Sequence, residues 1–198
     1  MDDLMIKICG IGNLEDAVYC AELGAGALGF NCYSRSPRYL EREAARRISS
    51  QLPSKILKVA VIVISPEEQL DDLAGFDVIQ VHGARSRECL SRFPGRIWVA
   101  TTPETACDFP DQELIIDSSW GTGRISDWEA AARLERPFIL SGGLDPGNVA
   151  EAVERLTPAG VDVCSGVESA RGIKDRSKIQ QFIENARNAA GNHTNPKK

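Results

Sequence analysis

A β-type run near the start of the chain, Lys7-Ile8-Cys9-Gly10-Ile11, carries a thiol followed by a glycine. Near the other end, two apolar runs break into small residues just before helical patterns. They are Ile139-Leu140-Ser141-Gly142-Gly143-Leu144 and Val161-Asp162-Val163-Cys164-Ser165-Gly166-Val167. Such breaks leave backbone N–H groups free to hold an anion. Two in succession at the end of a βα chain are how a (β/α)8 barrel holds a substrate phosphate. Ser141, Gly142, Gly143, Ser165 and Gly166 are therefore the expected phosphate-binding residues. Cys9 on the first strand would share the same barrel mouth. The pairing points to an enzyme acting on a phosphorylated small molecule.

The elements that must position these residues read as alternating strands and helices. Short Val/Ile-rich runs, nearly continuous in apolar character, predict strands at Met5–Cys9, Ala27–Cys32, Leu57–Ile64, Val78–His82, Arg96–Ala100, Leu114–Asp117, Phe138–Ser141 and Val161–Cys164. Strands buried on both faces of a parallel sheet need that character. Helical patterns lie near Leu14–Leu23, Glu41–Gln51, Pro66–Ala74, Ser86–Arg92, Asp127–Leu134, Pro146–Leu156 and Asp175–Ala189. Asn13, Ser65-Pro66 and Asp145-Pro146 give helix-start signals. Between the fifth and sixth strands, Thr101–Gln112 holds Pro103 and Pro110 and has room for one turn, so the fifth helix is expected to be reduced to a loop. Eight strands favour a closed α/β TIM barrel over an open sheet. A dinucleotide-binding sheet would need a third glycine after Gly10-Ile11-Gly12. One domain is expected over residues 1–190, with a flexible tail over 191–198 that lacks an apolar anchor.

The net charge of −5 argues against nucleic acid or an anionic membrane as the main partner. The six cysteines show no C-x-x-C spacing, and with two histidines a metal site is not expected. No signal-peptide pattern opens the chain, and no apolar run reaches membrane-spanning length. A reducing cytoplasm fits these features.

Taken in order, the motifs resemble those of the phosphoribosylanthranilate isomerases of tryptophan biosynthesis. The pieces are Lys7-Ile8-Cys9-Gly10-Ile11, Gly29-Phe30 with Ser36-Pro37-Arg38-Tyr39, and Val78-Ile79-Gln80-Val81-His82-Gly83. They continue with Ile116-Asp117-Ser118, Gly121-Thr122-Gly123 with Asp127-Trp128, Leu140-Ser141-Gly142-Gly143-Leu144, and Val161-Asp162 through Ser165-Gly166-Val167-Glu168. The resemblance implies a (β/α)8 barrel that converts an aminoaldose phosphate to the aminoketose by an Amadori rearrangement. It implies no cofactor and no metal, with Cys9 as general base and Asp117 as general acid. Arg38 matches the residue that holds the anthranilate carboxylate, as a guanidinium meets a carboxylate with two parallel hydrogen bonds.

The remaining expectations concern the surroundings of these groups. A thiol is only a few per cent thiolate at neutral pH. Lys7, on the same side of the strand as Cys9, is a candidate source of positive help to the thiol and a candidate substrate-binding residue. Asp117 must hold a proton, which a dry pocket or a like charge would favour. Gly121 and Gly123 would add backbone donors to the substrate. His82 and Asp162 face the barrel interior or mouth, as substrate-side or satisfied core groups. The chain departs from the family pattern at Ile64, Trp120, Ser126 and Cys164, where Cys164 stands in place of a serine near the phosphate turn. An indole-glycerol-phosphate synthase reading would need a lysine that strand five lacks. A non-catalytic phosphate-ligand binder is the alternative from another class. The partner expected is a small phosphosugar, with the chain a monomer or homodimer.

Overall fold

A computed structural model describes residues 4–64, 73–84, 87–91, 93, 95–117 and 127–193. Eight parallel strands close into a barrel in chain order. They are β1 Met5–Cys9, β2 Ala27–Asn31, β3 Leu57–Val63, β4 Val78–His82, β5 Arg96–Thr101, β6 Glu113–Ile116, β7 Ile139–Leu140 and β8 Gly160–Val163. The last strand returns to the first, with Lys7 opposite Asp162 and Ile8 opposite Val163. Strand periodicity divides the apolar residues into two cores. Inside the barrel pack Cys9, Ala27, Val59, Val61, Val78, Trp98, Ala100, Ile115 and Ile139. Ile6, Ile8, Leu28, Ala60 and Ile62 point the other way, into the layer between strands and helices.

Among the described residues the α-helices are α1 Leu14–Glu22, α2 Arg42–Ser49, α3 Trp128–Ala131, α4 Val149–Leu156 and α5 Arg176–His193. Asn13 caps α1, its side chain accepting from the Asp16 amide at 2.8 Å. The Ser65-Pro66 start and most of the helix expected after it lie outside the described residues. The helix expected at Ser86–Arg92 is a 3-10 turn, Arg87–Leu90. Strand ends differ from expectation by at most one residue, so Asp117 stands just beyond β6.

Three elements depart from the sequence reading. The expected loop after β5 contains a six-residue 3-10 helix, Pro103–Asp108. Ala106 and Phe109 bury their side chains there, which gives the short segment an apolar anchor despite its prolines. Helix α5 continues through Gly191 to His193, so the segment expected to fray begins helical. After β8 the chain forms a hairpin, β9 Glu168–Ala170 and β10 Ile173–Lys174, before entering α5. It leans on the segment after β2, with the Cα of Gly172 facing the Pro37 carbonyl.

Candidate active site

A cavity of about 440 Å³ opens at the carboxyl ends of the strands, within the size range of small-molecule sites. Cys9, Arg38, His82, Asp117, Ser141, Gly142, Gly143, Asp162 and Ser165 all line it. The expected acid, base, cation and phosphate turns therefore share one space.

Cys9 sits where β1 ends, with its neighbours arranged beneath and beside it. Lys7 is fully buried and donates to Asp162 at 2.7 Å. The second Asp162 oxygen accepts from the Ser141 hydroxyl at 3.0 Å. Strands β1, β8 and β7 are thus joined by one buried polar chain. Gly29 on β2 clears the room above it: a Cβ there would lie 2.8 Å from the Cys9 sulfur and 3.0 Å from the Lys7 nitrogen. Burial alone would pull the Lys7 amine down, yet Asp162 and Cys9 outweigh it and hold the ammonium above its ordinary range. A hydrogen bond from Cys164 lowers the Cys9 thiol, burial opposes this, and Lys7 and Lys174 add to the lowering. The outcome is a Cys9 pKa of about 6. Cys164 moves the opposite way, kept protonated by its bond to Cys9 and by burial.

Arg38, on the segment after β2, is 11% exposed and meets Glu168 of β9 in a two-point contact, Nε and Nη2 each at 2.7 Å. This bond raises the guanidinium's pKa. Lys174 of β10 also donates to Glu168, at 3.2 Å, and to the Cys164 carbonyl at 2.9 Å. Burial would raise the Glu168 carboxyl, but Arg38 and Lys174 together hold it below the usual range. Two of the five guanidinium donors are used on Glu168, and the side chain also lines the cavity. His82 Nε2 accepts from the Gln80 side-chain amide at 2.9 Å. Burial lowers its pKa against the pull of Asp117, so it enters the site as neutral imidazole.

The turn after β7 is shaped by two glycines. Gly142 and Gly143 have φ of +87° and +68°, which other residues resist. Among the described residues neither donates a backbone hydrogen bond. Asn148 braces the turn, donating to the Gly143 carbonyl at 2.9 Å and accepting from the Asp145 amide at 2.9 Å.

Two expectations need correction. Lys7, expected among the substrate-binding residues, does not line the cavity; its amine is buried and enclosed between Cys9 and Asp162. Gly166 does not line it either. A Cβ there would overlap the Leu144 carbonyl, so Gly166 lets the two last turns touch. Gly121 and Gly123, with Trp120, lie outside the described residues. The sequence reading did not single out Gln80, which is 2% exposed, lines the cavity and has a side-chain oxygen without a hydrogen-bond partner among the described residues. It also did not name Arg171 on the hairpin as a cavity residue. An inward position on β4 was the available signal for Gln80; none marked Arg171.

Similarity to known proteins agrees with this geometry. Residues 6–185 match the family described as N-(5'phosphoribosyl)anthranilate (PRA) isomerase. The N-(5'-phosphoribosyl)anthranilate isomerase of Syntrophus aciditrophicus is 39% identical over 203 residues, covering 94% of this chain and 88% of that one. The crystal structure of the Thermotoga maritima phosphoribosyl anthranilate isomerase superposes with a TM-score of 0.84 at 35% identity, covering 93% and 99% of the two chains. A phosphoribosyl anthranilate isomerase solved with reduced 1-(o-carboxyphenylamino)-1-deoxyribulose 5-phosphate gives 0.79 at 36% identity, with the same coverage. By extent and by closeness of match, this chain belongs to the N-(5'-phosphoribosyl)anthranilate isomerase family.

Proposed function

We propose that this enzyme catalyses the Amadori rearrangement of N-(5′-phosphoribosyl)anthranilate to 1-(2-carboxyphenylamino)-1-deoxyribulose 5-phosphate, with Asp117 as acid and Cys9 as base. Asp117 protonates the furanose ring oxygen, the C1′–O bond opens, and the nitrogen lone pair forms an iminium. The Cys9 thiolate then removes the C2′ proton, giving an enolamine that tautomerises to the ketone. Protons lent and taken balance, so the product is an isomer of the substrate. The phosphate rests on the amides of Gly142 and Gly143 and on the turn at Ser165, with Ser141 fixing the turn's base. Arg38, steadied by Glu168, takes the anthranilate carboxylate through its remaining donors. His82 and Gln80 face the sugar.

The observation that carries this reading is the single cavity lined by Cys9, Asp117, Arg38 and the Gly142-Gly143 turn. A thiol with a pKa of about 6 is largely thiolate at neutral pH, as the base role requires. The setting proposed is the cytoplasm, where its free cysteines stay reduced.

The test follows the fluorescence of freshly made phosphoribosylanthranilate. Wild-type protein should discharge it. Cys9→Ser and Asp117→Asn should each lower kcat by roughly 10²–10⁴-fold with the fold intact, as judged by circular dichroism. Wild-type protein that binds the substrate without consuming it would leave only a ligand binder.

A further inference from the structure

The chain carries a net charge of −5, yet its cavity is edged with arginine. Arg35 and Arg38 come from the segment after β2, and Arg171 from the tip of the β9–β10 hairpin. Among the described residues, the carboxylates that line the same space are Asp117 and Asp162, and Asp162 is paired with Lys7. An acidic protein thus keeps a basic rim around its cavity, where anions are concentrated.

The hairpin that carries Arg171 is braced on several sides. Lys174 of β10 donates to the Cys164 carbonyl at 2.9 Å and to the Glu168 carboxylate at 3.2 Å. Lys178 of α5 donates to the Glu168 carbonyl at 2.8 Å. Glu168 in turn holds Arg38 at two points. Gly172 turns the chain with φ +82°, and a Cβ there would lie 3.5 Å from the Pro37 carbonyl. Arg171, one residue earlier, is therefore set on the Arg38 side of the cavity. The Gly142-Gly143 turn follows β7, with β8 and β1 between it and β2. The two guanidiniums also differ in what already engages them. Arg38 is 11% exposed and gives two donors to Glu168. Arg171 is exposed, and among the described residues no hydrogen bond or ion pair engages it. Its planar fork is open to a carboxylate.

We propose that Arg171 is a specificity-determining residue: with Arg38 it clasps the aromatic carboxylate of the substrate, so that the site selects an anthranilate over an uncharged aniline. The inference rests on the function proposed above, but its key measurement needs no turnover. The probes are reduced 1-(o-carboxyphenylamino)-1-deoxyribulose 5-phosphate and the same compound made from aniline, which keeps the sugar and phosphate but lacks the carboxylate. Both are titrated into the full chain by calorimetry. Arg171→Gln should weaken binding of the carboxylate probe by roughly threefold to tenfold and of the aniline probe by less than about twofold. Adding about 0.5 M sodium chloride should shrink the first loss, because an exposed cation is screened. Arg171→Lys keeps the charge without the fork and should recover part of the affinity. The unfolding midpoint should stay at the wild-type value in both variants, since no contact within the fold is lost. In turnover, KM should rise by the same factor as the binding loss, with kcat changed by less than about twofold.

Equal weakening of both probes in Arg171→Gln would overturn the inference, as would no weakening of either. The selective loss, in protein that fails to isomerise phosphoribosylanthranilate, would uphold the carboxylate clasp and overturn the reading of the reaction.

Discussion

Cys9 and Cys20 are both buried, one at a strand end and one inside helix α1, and their surroundings drive them apart. Burial pushes the Cys20 thiol up to about 12, where it is inert filler. Cys9, with a thiol donor and an ammonium beside it, stays near 6. A base works when deprotonated, so on the limb that reports Cys9 kcat/KM should climb with pH through about 6. Below that point it should fall about tenfold per unit. Steady-state rates in constant-ionic-strength buffers measure this; a limb near the ordinary thiol value would contradict it. Because the folded-state value lies below the ordinary one of 9.0, the thiolate also stabilises the fold above that pH, and this contribution is lost as pH falls through about 6. Much of this residue chemistry is legible in the sequence. Cys9 and Asp117 stand at strand ends, and Lys7 shares a strand face with Cys9. The depth of Lys7 is not legible, because it depends on Asp162, 155 residues away. Cys164 is harder still: in the sequence it reads as a weak donor for phosphate, and only strand closure turns it toward Cys9.

The last two βα turns act together because Gly166 lets one rest on the other. Gly166→Ala would press a methyl into the Leu144 carbonyl and force the turns apart. The expected result is a stability loss of roughly 1–3 kcal/mol. KM should rise with kcat less affected, since the Gly142-Gly143 amides would leave the place proposed for the phosphate. Thermal unfolding and steady-state kinetics on the same variant separate the two effects. At this scale, strand existence is legible from apolar runs, and Asn13 announces the helix it caps; the Asp127 cap of α3 emerges only in the structure. Two elements escape that reading. Pro103 and Pro110 suggest a loop after β5, but the buried Phe109 holds a 3-10 helix there. The β9–β10 hairpin is too short to show periodicity, yet it supplies Glu168 and Lys174 to the site.

For the molecule as a whole, the seam between β1 and β8 decides whether the barrel is closed. Its inner face holds the Lys7–Asp162 pair, almost wholly removed from water. Breaking a buried pair by removing one partner leaves an uncompensated charge. Asp162→Ala should therefore lose roughly 3–5 kcal/mol, read as a lower urea midpoint with activity falling alongside. Asp162→Asn, which keeps a partner for Ser141, should lose less. Closure itself is legible from eight apolar runs and two terminal anion turns. Which side chains meet across the seam is not, because register is fixed only when the ends come together.

That seam has a bearing on synthesis. Cys9 leaves the ribosome about 150 positions before Asp162, in β8, and Cys164, just beyond it. Until that strand docks, the nascent sulfur is an ordinary hydrated thiol beside a screened lysine. The reactive anion comes into being only in the finished barrel, so a half-made or misfolded chain carries no heightened vulnerability to cellular electrophiles at this position.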